Sequence, residues 1–352
     1  MRKIKIYFWL IGCTFVLLAG CSKTSESVNN GNNASNGTNN QLVTQSPLDI
    51  FDNQTSNSTR SMGSFSFGFQ HADNGERALF DFTGEPISLP FYATGQDEDV
   101  HSEFGLILLV DGQIQPYTIK KGNEIISEEQ VMNQFTLAHE ETVEFDAVFT
   151  PQSGRKGERV GVAFVTILQP DYQPENIKNS NFGMYHHLSS TTYQEIEMKD
   201  NGTGQKKAYK ETTMEDIPQG ILDLGENVII DGVANYLDAG AVIKLIGTGE
   251  EQDPIVAVNG KTTFKFQIYG GVEATYNTTI FINHQPVKVN GNYDYITTKT
   301  AKGKLTTVAV EIDTTELEEI NTIYAVTGMS ERDYLTDNVT PHKTKSRLLI
   351  NK

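Results

Sequence analysis

Gly105-Leu106-Ile107-Leu108-Leu109-Val110-Asp111-Gly112-Gln113-Ile114 is the stretch on which the fold turns. An apolar run of strand length stops at Asp-Gly, and a second run leads on to Ile119. A two-residue hairpin loop needs positive φ at both positions, which Asp and Gly tolerate, so the stretch reads as two antiparallel strands. On its N-terminal side Phe65, Phe67 and Phe69 alternate with Ser66 and Gly68, the period of a half-buried strand. Ile87 to Ala93 reads as the next strand, with Pro90 requiring an edge or a bulge. On the C-terminal side Val143, Phe145, Ala147 and Phe149 alternate with Glu144, Asp146 and Val148, and Val160 to Leu168 is a second long β run. Between them, Ile126, Val131, Met132 and Phe135 are spaced for a short helix or an irregular crossover over 125–137.

The same order of elements recurs downstream. Strand 87–93, hairpin 105–119, strand 143–149 and strand 160–168 match 264–268, 278–289, 306–312 and 322–326. Leu109-Val110-Asp111-Gly112-Gln113-Ile114 lies against Phe281-Ile282-Asn283-His284-Gln285-Pro286-Val287, with Asn283-His284 as the turn. Short strands joined by turn signals in both halves predict a mostly β protein of two antiparallel β-sandwich domains. The pattern is Ig-like, without the Cys…Trp…Cys framework of antibody domains.

The expected first sandwich covers 61–170 and the second 226–345. Residues 171–225 supply extra strands (Phe182 to Leu188, Tyr193 to Met198) and a linker, with Lys199 to Gln219 a long polar turn. Asn227 to Ile230 and Ala241 to Ile246 open the second half. Thr314 to Asn321 reads as one helical turn, Thr315 and Glu318 forming a capping box. Residues 346–352 read as a tail.

The N-terminus bears on where the chain is expected to work. Arg2, Lys3 and Lys5 precede an apolar segment, Ile6 to Leu18, broken only by Gly12 and Thr14. Its 13 positions fall short of the roughly 20 that span a bilayer and fit a signal peptide instead. Leu18-Ala19-Gly20-Cys21 resembles the lipobox of bacterial lipoproteins. That resemblance implies that residues 1–20 are removed and that the Cys21 thiol carries diacylglycerol, with palmitate as a typical acyl chain. It places the protein at the cell membrane, lipid-anchored and facing outside. Residues 21–60, rich in Ser, Asn, Thr and Gly, are expected to form a disordered tether reaching about 30–40 Å. The whole chain resembles two-module surface lipoproteins of Gram-positive bacteria.

The 352 residues carry a formal charge of −17, which becomes −20 once Arg2, Lys3 and Lys5 leave with the signal. Such a balance argues against nucleic acid and anionic headgroups as partners. The second cysteine, Cys13, lies inside the signal, so no disulfide is available to the folded body.

No catalytic motif stands out. His139-Glu140-Glu141-Thr142-Val143 lacks the second His of a zinc-protease helix. Ser153-Gly154-Arg155-Lys156 sits in a turn, whereas Ser-x-x-Lys chemistry needs a helix. Asp97, Glu98, Asp99, His101 and Glu103 put five oxygen or nitrogen ligands into one loop, a candidate Ca2+ site; no other cofactor is expected. On a strand His186 and His187 point to opposite faces and cannot share one ion. Tyr92, Tyr117, Tyr172, Tyr185 and Tyr193 are candidates for an aromatic sugar platform. These features point to a non-catalytic, cell-surface lipoprotein whose two modules bind an extracellular protein or envelope polymer, by sheet faces, loops or strand addition. Glycan or small-solute capture, and an envelope enzyme with a dispersed site, are the alternatives.

Overall fold

The computed structural model of this chain describes residues 63–70, 79–98, 101–174, 182–183, 185–190, 194–226, 241–249, 253–270, 273–330 and 341–352. The lipobox, the tether and the strand expected at Asn227 to Ile230 lie outside the described residues, as does Tyr193. Almost all regular structure is β. The first half runs through β1 (Phe65–Phe69), β2 (Leu79–Phe82), β3 (Ile87–Gly95), β4 (Ser102–Val110), β5 (Gln113–Gln115) and β6 (Tyr117–Lys121). It continues with β7 (Glu124–Gln130), β8 (Met132–Leu137), β9 (Thr142–Phe149), β10 (Arg159–Leu168), β11 (Leu188–Ser190) and β12 (Gln194–Met198). Strands β13 (Ala208–Tyr209) and β14 (Thr213–Asp216) and helix α1 (Gln219–Glu226) follow. The second half holds β15 (Ala241–Ile246), β16 (Ile255–Ala257), β17 (Lys261–Gly270), β18 (Thr275–Ile282), β19 (Gln285–Pro286) and β20 (Tyr295–Lys299). It closes with β21 (Lys304–Asp313), β22 (Ile320–Ser330), β23 (His342–Lys343) and β24 (Arg347–Asn351).

These strands form four sheets. The first is ordered β1-β3-β9-β6-β7 and the second β2-β12-β10-β4-β5, with β8 beside β4 and β11 beside β10. The third is ordered β13-β20-β18-β22-β24-β16, with β19 and β23 alongside, and the fourth β14-β21-β17-β15. In the first pair, β1-β3-β9-β6 faces β12-β10-β4, the strand order of an Ig sandwich. The second half repeats it as β15-β17-β21 against β18-β22-β24. Each sandwich is clasped by a parallel pair, β2 on β12 and β16 on β24. The matched segments of the sequence therefore occupy equivalent strands: β3 and β17, β4 and β18, β9 and β21, β10 and β22. Both hairpin turns have positive φ at both central residues, Asp111 (54°) and Gly112 (69°), then Asn283 (49°) and His284 (63°).

Alternation assigns the side chains to three apolar layers. Phe104, Leu106, Leu108 and Val110 of β4 and Val160, Val162 and Phe164 of β10 pack inward against Leu89, Phe91 and Phe145. Their neighbours Ile107, Leu109, Val165 and Ile167 point the other way and pack on Phe281, Tyr324 and Val326 of the second half. Ile280, Ile282, Ile323 and Ala325, one residue out of step with those, meet Phe266, Ile268, Val308 and Val310 of the fourth sheet. The middle strands thus lack the apolar-polar alternation of a one-sided strand, because both of their faces are buried, and the Thr and Asn residues they carry, such as Thr166, Thr278 and Thr327, are buried as well. The two sandwiches stack on each other rather than being strung apart.

Four expectations are corrected. Residues 125–137 form β7 and β8, not a helix. The chain passes from the first sheet to the second at Val131, so the helix-like spacing joins the exposed Ile126 of the edge strand β7 to Met132 and Phe135 of β8, which share no face. The predicted return strand to Ile119 splits at Pro116, with β5 in the second sheet and β6 in the first. Residues 346–352 are no tail: Arg347–Asn351 form β24, with Leu348, Leu349 and Ile350 buried. Thr314 to Asn321 has no capping box, because Asp313 Oδ1 accepts from both the backbone N–H and the hydroxyl of Thr315. Pro90 is accommodated in β3. Its carbonyl accepts from Gln70 N–H just past the end of β1, so its missing N–H costs a bond only opposite Gln70, beyond the last paired residue of β1.

Candidate functional site

The only described contact surface between the halves that is rich in titratable groups lies at one side of the stacked sheets. After β10 the chain makes an excursion, 169–187, before β11. Phe182 and Tyr172 of that excursion pack on Leu348 and Ile350 of β24, which brings His186 and Pro170 against the second half. His186 is buried at φ 58°. It does not stand on a strand, yet it points in while His187 is exposed, so the pair chelates nothing in common.

The hydrogen bonds define one network. His284 Nε2–H donates to the Pro170 carbonyl at 2.6 Å, so Nδ1 of the neutral ring is the acceptor for the Tyr324 hydroxyl at 2.9 Å. Lys343 Nζ donates to the Thr344 carbonyl (3.0 Å) and to Ser346 Oγ (2.8 Å), and lies 4.5 Å from the centre of the Tyr324 ring. Ser346 Oγ in turn lies 3.0 Å from His186 Nδ1. The His186 and His284 rings are 5.2 Å apart. Tyr172 and Tyr185 stack at 3.7 Å at the outer end of the cluster.

Burial depresses every base in this network. It holds His186 down at about 3, helped by the Lys343 and His284 charges and opposed by the Tyr172 and Pro170 carbonyls. His284 is lowered by burial, with Lys343 adding to the effect and the Pro170 carbonyl and Asp171 resisting it. Burial pushes Lys343 down to about 7 and His342, its neighbour on β23, to about 4. The arrangement places the Ser346 hydroxyl between two nitrogens, but inside the protein. What it does is join the halves.

Elsewhere the halves meet by close backbone approach. Gly112 at the β4–β5 turn lies on Gly328 of β22, the Asp111 carbonyl accepts from Asn277 Nδ2 (3.1 Å), and Ser330 Oγ is 3.2 Å from Asp111 Oδ1. Lys206 Nζ donates to the Ile114 carbonyl.

The residues singled out in the sequence are dispersed. Asp97 and Glu103 are half-buried, Glu98 and His101 are exposed, and Asp99 lies outside the described residues. Among the described residues no group of three or more His, Cys, Asp or Glu side chains converges as a metal site. Ser153 Oγ donates to the Val110 carbonyl, and Glu141 caps Ala138 N–H in a turn. Tyr117 is buried with its hydroxyl on the Leu106 carbonyl, and Tyr92 covers Gly68; among the described tyrosines of the set, Tyr172 and Tyr185 alone come together.

No family model matches the chain, and no curated protein matches it. Solved structures resemble it only distantly. A protein of unknown function from Porphyromonas gingivalis W83 is 10% identical over 82% of this chain and 100% of that one, with a TM-score of 0.21. Fibronectin(III)-like modules of Clostridium thermocellum CbhA are 10% identical over 82% and 94%, with a TM-score of 0.19. The Salmonella enterica SafA pilin in complex with the SafB chaperone gives 8% identity over 82% and 96%, with a TM-score of 0.21. Likenesses at that level carry no argument here; the sandwich assignment stands on the strand order itself.

Proposed function

We propose that this chain is a non-catalytic surface lipoprotein, anchored outside the cell by lipid on Cys21, that grips an extracellular protein by strand addition at β7. The supporting observation is the edge itself. β7 closes one side of the first sheet and, among the described residues, pairs with β6 alone, across an irregular register. Ile125 and Ile126 are 51% and 56% exposed there, on a strand of which no residue is buried. An edge of this kind offers free ladder groups and apolar contacts at once. Glu124, Glu128 and Glu129 surround the isoleucines, so the chemistry suits an extended segment that is apolar and basic.

A body spanning residues 61–352, with Ile125 and Ile126 both changed to Lys, tests the edge. It is expected to keep the parent's unfolding midpoint and to lose capture of envelope proteins, with or without calcium. Undiminished capture refutes the edge. Palmitate incorporation that survives Cys21→Ala refutes the anchor. A second reading, glycan capture, draws on the stacked, half-buried Tyr172 and Tyr185. It requires Tyr185→Ala to abolish retention on a glycan column.

A further inference from the structure

The network between the halves has an unusual charge balance for an interface. It contains His186, His284 and Lys343, with His342 on the same short strand, and their hydrogen-bond partners are hydroxyls and carbonyls. Such acceptors can serve a neutral imidazole but offset a buried positive charge only in part, and among the described residues His186 Nε2 is buried with no hydrogen-bond partner at all. The charged groups acting on the two histidines are Lys343, which opposes protonation of both, His284 itself, which once charged opposes protonation of His186, and Asp171, which favours it for His284. Each histidine is shared between the halves: His186 of the 169–187 excursion reaches Ser346, and His284 of the β18–β19 turn reaches Pro170. Protonating His284 also turns its Nδ1 into a donor that faces the Tyr324 hydroxyl, which must then reverse its own bond.

We propose that this network is an acid-released latch: protonation of His186 and His284 parts the two sandwiches and uncovers the apolar layer between β4, β10, β18 and β22. The sign follows from the lowered affinities. With the halves apart, both imidazoles are solvated and take protons below about 6.5. With the halves together they stay neutral further down, to about 3 for His186. The parted form therefore binds more protons through this window, and the closed form loses stability as pH falls through it. Lys343 acts higher, between its ordinary value and about 7, and adds no pH dependence below that. Two protons taken up on opening make the opening equilibrium rise by roughly a hundredfold per pH unit at its steepest.

The folded body has no cysteine of its own, so a single thiol reports opening cleanly. In the whole chain with Cys13 and Cys21 changed to Ala, Val326→Cys places a thiol in the layer between the sandwiches, and Val162→Cys places one inside the first sandwich. Labelling by dithiodipyridine, divided by the rate of free cysteine at each pH, is followed from pH 7.5 to 4. The latch requires the Val326→Cys thiol to become reactive below about pH 6.5 while the Val162→Cys thiol stays protected. His284→Gln should lower the pH slope by one proton, to roughly tenfold per unit. A flat profile at Val326→Cys overturns the proposal, as does simultaneous exposure of both thiols, which is global unfolding. An undiminished slope in His284→Gln also overturns it.

Discussion

Replacing Gly328 by Ala tests whether the stacked sandwiches form one packed solid. Gly328 lies in β22 outside the left-handed region, so the backbone accepts alanine and only space is at issue. A Cβ there would lie 2.7 Å from Gly112 Cα and 3.0 Å from Leu109 Cδ2. Carbon atoms prefer about 3.5–4.0 Å, so the second and third sheets must separate by close to 1 Å at this point. A gap of that size forfeits a quarter to a half of the dispersion energy of the atoms lining it, among them Ile107, Val165, Phe281 and Tyr324. Overpacking of this kind costs about 1–3 kcal/mol. For a body this large that is a fall in Tm of roughly 2–5 °C. Urea denaturation and calorimetry of Gly328→Ala beside Gly220→Ala measure it. Gly220 has nothing within 4 Å of its added methyl and sits in α1, so that change should be neutral or slightly stabilising. Gly112→Ala should cost more than Gly328→Ala, because φ of 69° adds backbone strain to a 2.5 Å approach to the Gly328 carbonyl. A Gly328→Ala protein within about 0.5 kcal/mol of its parent would refute the close-packed interface.

Further outcomes follow from other sites. Leu108→Ala empties a fully buried position between the first two sheets and should cost about 2–5 kcal/mol by denaturant melts. Asn283→Ala removes bonds to Asn321 and to the Thr322 N–H and puts alanine at φ 49°, for an expected loss of about 2 kcal/mol in the same assay. Burial raises the phenols of Tyr117 and Tyr324 far above their ordinary range and Tyr276 to about 12. The unfolded chain then loses protons near pH 10 that the folded one keeps, so stability falls as pH rises through and above 10. Spectrophotometric titration should show these three of the 14 tyrosines ionising last, Tyr117 and Tyr324 only as the protein unfolds.

Much of this architecture was legible before any coordinates. Asp111-Gly112 fixed one turn through backbone chemistry alone, and Asn283-His284 marked its counterpart although His rarely adopts φ of 63°. The matched strands emerged because alternation survives wherever one face is exposed, as in β9 and β21. Uninterrupted runs such as Val160 to Leu168 signalled burial on both faces, but a run of this kind does not say what covers the second face. The helix expected near 125–137 failed where the chain changes sheets at Val131. The network of histidines was illegible for a different reason. Pro170, His186, His284, Tyr324, Lys343 and Ser346 are scattered over half of the chain, and each alone reads as an ordinary turn, core or tail residue. Only the 169–187 excursion and the stacking of the sandwiches make them neighbours.

The double burial of β4, β10, β18 and β22 bears on how this architecture could have been inherited. A sandwich with a polar exterior can be duplicated, reshuffled or lost as an independent cassette. Here each half would leave a greasy wall bare, with Phe281, Tyr324 and Val326 on one and Ile107, Leu109, Val165 and Ile167 on the other. The pair is thus bound to travel through descent as one heritable unit, and any fusion that carries off a single half trades a stable fold for a sticky one.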